Sequence, residues 1–357
     1  MSVITVQGEI DPEKLGMVLP HEHILIDLRN QFSEPPEVTK KQLSGQQVNI
    51  DNMGVLRRNP WALIDNLVIN DMSIAEEEVL EYKRAGGDTI VDVTNIGLGR
   101  DPVALRRISR ATGVNIIAGC SYYYHDTHPK DMGSKTVEDI KNQIICDIET
   151  GMDETGIRAG VIGEIGVSQD MHVDERKVLA ASGRAQAETG AGVQVHIFPW
   201  GKGGGKPLGM EALSILVKHG ADPEKVSINH VDVAMDIRLD YCIEILETGA
   251  YVEFDNFGHE FYVDKANRKF IPGPFALDFQ RVDAIKKLID RGYLSKILVS
   301  TDICHKTLLH HYGGWGYDHI PTNIVPMMKD KGITGEQINT LLRVNPVNFL
   351  DIKRKAM

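Results

Sequence analysis

Eight short apolar runs, rich in β-branched residues, alternate along this chain with amphipathic stretches of helical length. The runs cover residues 17–26, 89–96, 115–124, 159–168, 192–198, 226–231, 250–257 and 296–303. Helices are predicted at residues 73–85, 101–112, 136–150, 174–189, 208–219, 235–248 and 276–291. Strands that alternate with helices form parallel sheets, and nearly continuous apolarity indicates strands buried on both faces. A count of eight favours an α/β fold of the (β/α)8 TIM barrel type over an open, doubly wound sheet.

Two long segments interrupt this alternation. Residues 29–71, after the first run, contain only a short helix-like stretch at 60–68, and residues 304–334, after the eighth run, are rich in His, Gly and Tyr. Long loops in a compact domain are usually functional. No low-complexity tract, internal repeat or Pro/Gly linker marks a boundary, so we expect residues 1–357 to form a single domain.

The composition limits the expected partners. Asp and Glu number 50 and Lys and Arg 39, so the formal net charge is −11, and no basic run offers a patch for nucleic acid phosphates. Four scattered cysteines without a CxxC pair are typical of reduced thiols. The chain starts without a signal-peptide pattern, and no segment approaches about 18 continuous apolar residues. We therefore expect a cytoplasmic protein that acts on a small molecule, with no nucleic acid and no membrane.

Histidine and acidic residues recur at or near the ends of the predicted strands. Six of them lie on five runs: His21, His23, Glu164, His196, His230 and Asp302. The carboxyl ends of barrel strands meet at the catalytic face. Polar groups in apolar runs are costly to bury unless they share a strong partner, and a divalent cation is such a partner. Imidazole and carboxylate ligands suit Zn2+, Mn2+, Co2+ or Fe2+.

Each of these residues also has a purely structural interpretation. A single buried histidine such as His196 is more often satisfied by a backbone carbonyl group than bound to a metal. Glu164 could pair with Arg158, and Asp302 could cap the segment that follows it. The joint pattern on five strands, all reachable from one end of a barrel, favours the metal site.

At these residues the sequence resembles the phosphotriesterase family of the amidohydrolase superfamily. The resemblance runs through nearly the whole chain, on the motifs at residues 19–23, 163–166 and 345–346. Within the family, the sequence looks closest to the phosphotriesterase-related branch, which includes animal homologues. Residues 297–307 and 312–317 carry that resemblance.

The resemblance implies a metal-dependent hydrolase with two divalent ions, for which Zn2+ is our first choice. The more buried ion would be held by His21, His23 and Asp302, and the more exposed ion by His196 and His230. A hydroxide shared between the ions would attack an ester, lactone or amide carbonyl group. Asp302 would take its proton and pass it to the leaving group.

Two positions depart from the best-known members of the family. Glu164 stands where a carboxylated lysine bridges the two ions, as the phosphotriesterase-related branch also has it. Asn256 stands where phosphotriesterases have a histidine that relays the proton onward, which weakens the case for phosphotriester hydrolysis, our alternative activity. Tyr123 matches a tyrosine that contacts the bridging hydroxide in the family's lactonases, although it could equally be a packed aromatic residue.

Three loops at the expected catalytic face could contact a substrate. The candidate residues in the loops after the fifth and eighth runs are Trp200, Lys202, Lys206 and Lys306. The loop after the seventh run adds Lys265, Arg268 and Lys269. Glycine beside lysine can form an anion cradle, so we hypothesise a substrate that carries a carboxylate, sulfonate or phosphate. The alternative, that these lysines are solvated surface charges, stays open.

Two other classes of protein stay open as well. A TatD-like nuclease uses a similar ligand set on this barrel, but the acidic charge and the long loops speak against it. A non-catalytic binding protein would be distinguished by its lack of metal. Barrels of this family often pair, so we expect a homodimer.

Overall fold

Eight parallel strands, each hydrogen-bonded to the next one along the chain, form the central sheet. The computed structural model describes residues 2–35, 37–202, 205–263 and 273–352. The strands are β1 (Val18–Glu22), β2 (Thr89–Asp92), β3 (Asn115–Cys120), β4 (Val161–Val167), β5 (Gly192–Ile197), β6 (Val226–Ile228), β7 (Tyr251–Phe254) and β8 (Ile297–Val299). Nearly every residue in them is buried, as the apolar runs predict.

The sheet closes where β1 meets β8. The backbone N–H of Asp302 donates a hydrogen bond to the carbonyl oxygen of His21 at 3.3 Å. The backbone N–H of His21 donates to the hydroxyl oxygen of Ser300 at 3.1 Å. The predicted (β/α)8 barrel is therefore confirmed.

A buried carboxylate, that of Glu22 at the end of β1, joins the first strand to the residues after β8. It accepts hydrogen bonds from the hydroxyls of Ser300 at 2.7 Å and Thr301 at 2.6 Å. It also accepts from the backbone N–H groups of Thr301 at 2.7 Å and Ile303 at 2.9 Å. Burial raises the pKa of Glu22 to about 7, and these donors oppose that shift because they favour the ionised form. Hydrogen bonds to a charged acceptor are stronger than those between neutral groups, so Glu22 is the main polar link across the seam.

Seven helices connect the strands: α1 (Met72–Arg84), α2 (Pro102–Thr112), α3 (Val137–Glu149), α4 (Val173–Thr189), α5 (Gly209–Lys218), α6 (Leu239–Leu246) and α7 (Asp278–Asp290). Side-chain caps mark the beginning of α1, α2, α3 and α4. At α3, for example, Thr136 and Asp139 exchange side-chain to backbone hydrogen bonds in a capping box. The largest difference from the sequence prediction is at α6, which begins at Leu239 rather than at residue 235. Within the described ranges, no helix combines the length and the apolarity needed to cross a bilayer.

The two predicted insertions carry only short elements. Their members, together with the C-terminal helices, are Val38–Lys41, Met53–Leu56, Lys306–Leu308, His310–Tyr312, Ile320–Ile324, Val325–Asp330, Gly335–Asn339, Thr340–Val344 and Asn345–Leu350. The prediction of one helix-like stretch at residues 60–68 is partly wrong. It divides into a 3-10 turn, Ile64–Leu67, and a short strand, Val68–Ile69, that pairs with Ile26–Asp27. Tertiary pairing outweighs the local pattern here because β-branched residues fit a strand well.

An N-terminal hairpin covers the amino ends of the barrel strands. Its two strands, Val3–Thr5 and Gly8–Ile10, were not indicated by the sequence pattern. Val3 packs with Val91 of β2 and Val161 of β4 in one buried cluster. Because this cluster fills the amino-terminal end of the barrel, the carboxyl ends of the strands remain as the open face.

We predict that Glu22→Gln weakens the seam of the barrel. A glutamine offers one acceptor oxygen instead of two, and its amide N–H2 group would face backbone N–H groups. The free energy of unfolding should fall by about 2–3 kcal/mol, measured by urea denaturation. The matched control Glu13→Gln changes an exposed residue and should alter stability by less than about 0.5 kcal/mol. Equal stability of the two variants would contradict the role given to Glu22.

Candidate metal centre

A cavity of about 340 Å3 opens at the carboxyl ends of the strands. Five of the six predicted ligand residues line it: His23, Glu164, His196, His230 and Asp302. His21, which is fully buried, lies next to them. The barrel thus brings ligand side chains from opposite ends of the chain, such as those of His21 and Asp302, to one location.

The carboxylate of Glu164 lies in the middle of four imidazole rings. Its Oε2 atom is 2.8 Å from Nδ1 of His196 and 3.6 Å from Nε2 of both His21 and His230. Its Oε1 atom is 3.3 Å from Nε2 of His23. Glu164 is therefore the group that reaches the largest number of predicted ligands.

The alternative of an ion pair between Glu164 and Arg158 is wrong. Arg158 instead donates to the carboxylate of Glu9 at 2.8 Å, near the N-terminal hairpin. Glu164 is left with histidine partners.

Asp302, which follows β8, contacts two of the same four imidazole rings. Its Oδ1 atom is 3.3 Å from Nε2 of His23 and 3.6 Å from Nε2 of His21. The two carboxylates thus share His21 and His23, and ligand atoms of His21, His23 and Asp302 all lie within 4.8 Å of one another.

The outer nitrogen atoms of the histidines are held by neighbouring groups. Nδ1 of His23 is 2.9 Å from the hydroxyl oxygen of Thr94, and Nδ1 of His230 is 2.9 Å from a carboxylate oxygen of Asp255. These contacts turn the Nε2 atoms of both rings towards Glu164. Such outer contacts fix the orientation of metal-binding histidines in general.

His196 is turned the other way. Its Nε2 atom is hydrogen-bonded to the hydroxyls of Tyr123 at 3.1 Å and Tyr124 at 2.7 Å, which leaves Nδ1 facing Glu164. Tyr123 was singled out from the sequence. Tyr124, which makes the shorter contact, was named only as part of the tyrosine run.

The charges of the cluster attract cations. Burial alone would lower the pKa of His23, but the carboxylates of Asp302 and Glu164 outweigh burial and raise it to about 10. Burial opposes the ionisation of Glu164, yet the neighbouring histidines, His196 first, hold its pKa well below its usual range.

The donor set fits divalent metal ions. Nε2 of His21 is buried and has no hydrogen-bond partner among the described residues, although it faces both carboxylates. A buried polar atom without a partner is rare in folded proteins. A cation among these imidazole and carboxylate atoms would satisfy it.

Two ligand candidates have an unusual backbone. His230 and Asp302 have φ angles of 61° and 48°, in the left-handed region. Non-glycine residues in this region cost about 1–3 kcal/mol and cluster at functional sites. Both residues lie just beyond the ends of their strands, β6 and β8, and the left-handed turn directs their side chains inward. The backbone N–H of His230 is held by the carboxylate of Asp255 at 3.1 Å.

The lysines predicted as an anion cradle do not line the cavity. Each has a carboxylate partner elsewhere: Lys202 with Asp170 at 2.6 Å, Lys206 with Glu244 at 2.5 Å and Lys306 with Asp65 at 2.6 Å. Their position in loops at this face was readable from the sequence, but the direction of their side chains was not. Lys265, Arg268 and Lys269 lie outside the described residues.

An aromatic wall completes the cavity. Trp200 was predicted, and it is joined by Trp61, Phe198, Phe261 and Phe275. Trp61 comes from the insertion after β1, whereas Phe261 and Phe275 come from the loop after β7. Only the tertiary fold shows that these rings meet. Their ring centroids are 5.6 to 6.5 Å apart in the pairs Trp61–Phe275, Trp200–Phe275 and Phe261–Phe275.

Known proteins resemble the chain along almost its entire length. A model of the phosphotriesterase family matches residues 1–350. A phosphotriesterase-related protein of Nematostella vectensis is 37% identical over 352 residues, and an N-acetyltaurine hydrolase of Danio rerio is 36% identical over 352 residues; both alignments cover 98% of each chain. The crystal structure of a resiniferatoxin-binding protein from Rhodobacter sphaeroides superimposes with a TM-score of 0.93 at 33% identity, covering 98% of this chain and 95% of that chain.

We predict that Glu164→Gln lowers the metal content of the purified protein. Glutamine keeps the shape of the side chain but removes the charge between the four rings. Elemental analysis should find about two ions per chain in the wild type and fewer than one in the variant. The control Asp126→Asn makes the same change on an exposed residue of the same cavity and should keep the wild-type content. Full metal content in Glu164→Gln would contradict the assignment.

Proposed function

Because the chain belongs to the phosphotriesterase family and is a metal-dependent hydrolase, we propose that it hydrolyses the amide bond of a small N-acyl amine that carries an anionic group. N-acetyltaurine is the model substrate, since a relative covered over 98% of its length is named for that activity. The observation that carries the proposal is the cavity in which four imidazoles and two carboxylates converge. Ester and lactone carbonyl groups are the alternative targets.

In this proposal the six side chains hold a pair of divalent ions. His21, His23 and Asp302 would hold one ion and His196 and His230 the other, with Glu164 shared between them. Zn2+ is the expected metal, and Mn2+, Co2+ and Fe2+ suit the same ligands. Bound ions supply a nucleophile from water near neutral pH and polarise the carbonyl group of the substrate.

Asp302 acts as the base and then as the acid. Burial opposes its ionisation, but the hydrogen bond from His23 and the charges of His21 and His230 hold its pKa below the usual range. It is therefore ionised at neutral pH, which is the protonation state that a proton acceptor requires. The proton that it accepts then passes to the amine nitrogen as the carbon–nitrogen bond breaks, which releases the acid and the amine.

The tyrosines and the aromatic wall position the reactants. Tyr123 and Tyr124 hold His196 by its outer nitrogen atom. Gln31 donates to the hydroxyl of Tyr123 at 3.3 Å and accepts from the indole N–H of Trp61 at 3.1 Å. This chain of contacts links the cluster to the wall, where apolar surface can exclude water and pack against the substrate.

Phosphotriester hydrolysis remains the less favoured activity. Asn256 lines the cavity, and its amide nitrogen lies 2.6 Å from Asp255 and 3.1 Å from Nδ1 of His230. An amide in this position orients its neighbours but does not carry a proton onward at neutral pH. The proton path proposed for phosphotriesterases is thus interrupted here.

We predict that the metal-loaded protein releases acetate and taurine from N-acetyltaurine faster than it opens a lactone or cleaves a phosphotriester. Product release is measured by chromatography for the three substrates. Asp302→Asn should lower kcat by about 10²- to 10⁴-fold or more, because the proton acceptor and a proposed metal ligand are lost together. Asp170→Asn, which only removes the exposed partner of Lys202, should retain activity. Turnover of the lactone or phosphotriester without amide cleavage would refute the proposed substrate.

A further inference from the structure

Two buried nitrogen atoms on the cavity wall have no hydrogen-bond partner among the described residues: Nε2 of His305 and Nε1 of Trp200. Three other buried nitrogen donors on the wall are engaged. They are those of Trp61 with Gln31, Asn256 with Asp255, and His259 with the carbonyl oxygen of Asp302 at 2.9 Å. A buried polar atom that faces a cavity without a partner indicates a ligand group.

The tautomer of His305 is set by its neighbour Cys304. Sγ of Cys304 lies 3.5 Å from Nδ1 of His305. A thiol is a better donor to an imidazole nitrogen than an acceptor from it, so S–H donates to Nδ1 and the ring proton resides on Nε2. Nε2–H is then a free donor at the cavity.

The surroundings of His305 keep it uncharged. Its exposed fraction is only 4%, and burial lowers its pKa to about 3. The rings of Trp61 and Phe261 stand nearly perpendicular to it, with centroids 6.1 and 6.3 Å away. The group therefore offers a hydrogen bond inside an aromatic enclosure and no positive charge.

The wall offers no obvious counterion for an anionic substrate. Among the cavity-lining residues that the structure describes there is no lysine or arginine. Apart from the proposed ligands, the charged side chain there is that of Asp126, which would repel an anion. Among the described residues of the wall, the anionic group therefore meets neutral donors, and His305 is an unpaired one with a neighbour, Cys304, in contact with its other ring nitrogen.

We propose that Nε2–H of His305 binds an oxygen atom of the substrate's sulfonate or carboxylate group, with Cys304 as the positioning residue that sets the tautomer. The inference rests on the proposed function, because it places the anionic end of the amide substrate while the scissile carbonyl group lies at the six-residue cluster. It assigns specificity to a neutral hydrogen bond rather than to a lysine cradle.

The test compares N-acetyltaurine with the uncharged N-acetylpropylamine in steady-state kinetics. His305→Phe should raise KM for N-acetyltaurine about 10-fold with kcat changed less than about 3-fold, and leave KM for the uncharged amide unaltered. His305→Gln, which restores an N–H donor, should recover part of the loss. Equal effects on both substrates would mean a structural role and would overturn the proposal.

Cys304→Ala should reproduce part of the KM increase, because the ring proton is then free to move to Nδ1. The matched control Cys120→Ala removes a buried thiol whose sulfur lies near the carbonyl oxygen of Val161, and should leave KM unaltered. A wild-type KM in Cys304→Ala would overturn the tautomer assignment.

Binding of ethanesulfonate to the metal-loaded protein separates this proposal from the proposed function. Calorimetry should show binding to the wild type that is about 10-fold weaker in His305→Phe. If N-acetyltaurine is not hydrolysed but this difference is found, the amidase proposal fails and the anion site stands. If the wild type does not bind ethanesulfonate, or binds it as the variant does, the anion site is refuted whatever the enzyme hydrolyses.

Discussion

The barrel depends on one buried carboxylate at its seam. Glu22 accepts four hydrogen bonds from Ser300, Thr301 and Ile303, and so ties the end of β1 to the segment that follows β8. His21 and His23 flank Glu22 in the chain, and Asp302 lies between two of its donors. The interaction that closes the fold therefore also sets Asp302 beside the two histidines. The same contacts close the barrel and assemble this half of the site.

The other half of the cluster depends on Glu164. Its carboxylate lies among four imidazoles whose outer nitrogen atoms are held by groups such as Thr94, Asp255 and Tyr124. Two carboxylates buried this closely repel each other unless positive charge lies between them. Protonated histidines such as His23 supply that charge in the metal-free cluster, and the proposed ions would supply it when the histidines are neutral ligands. The hydrolase chemistry and the stability of the open end of the barrel thus draw on the same electrostatic arrangement.

The six-residue cluster was predictable because parallel strands in a barrel end at one face, so an approximate strand position is enough to place a side chain. An error of one or two residues in a strand boundary does not matter to such a prediction. The same reasoning could not place the lysines that were predicted to form an anion cradle. Lys202 and Lys206 do follow β5, but a loop position gives no side-chain direction, and both lysines point to carboxylates outside the cavity. Trp61 comes from the insertion after β1 and Phe275 from the loop after β7, and no periodic pattern in the sequence links the two residues.

By itself, the sequence determined the eight-strand alternation, the family and the residues that could serve as metal ligands, because these follow from local periodicity and short motifs. The tertiary structure decided which nitrogen atom each histidine presents, which tyrosine holds His196, and which donor on the wall is unpaired. Those properties depend on contacts between segments far apart in the chain, as between Tyr124 and His196 or between Glu22 and Ile303. Hydrogen bonds are directional over about 3 Å, and only the folded backbone positions atoms that closely.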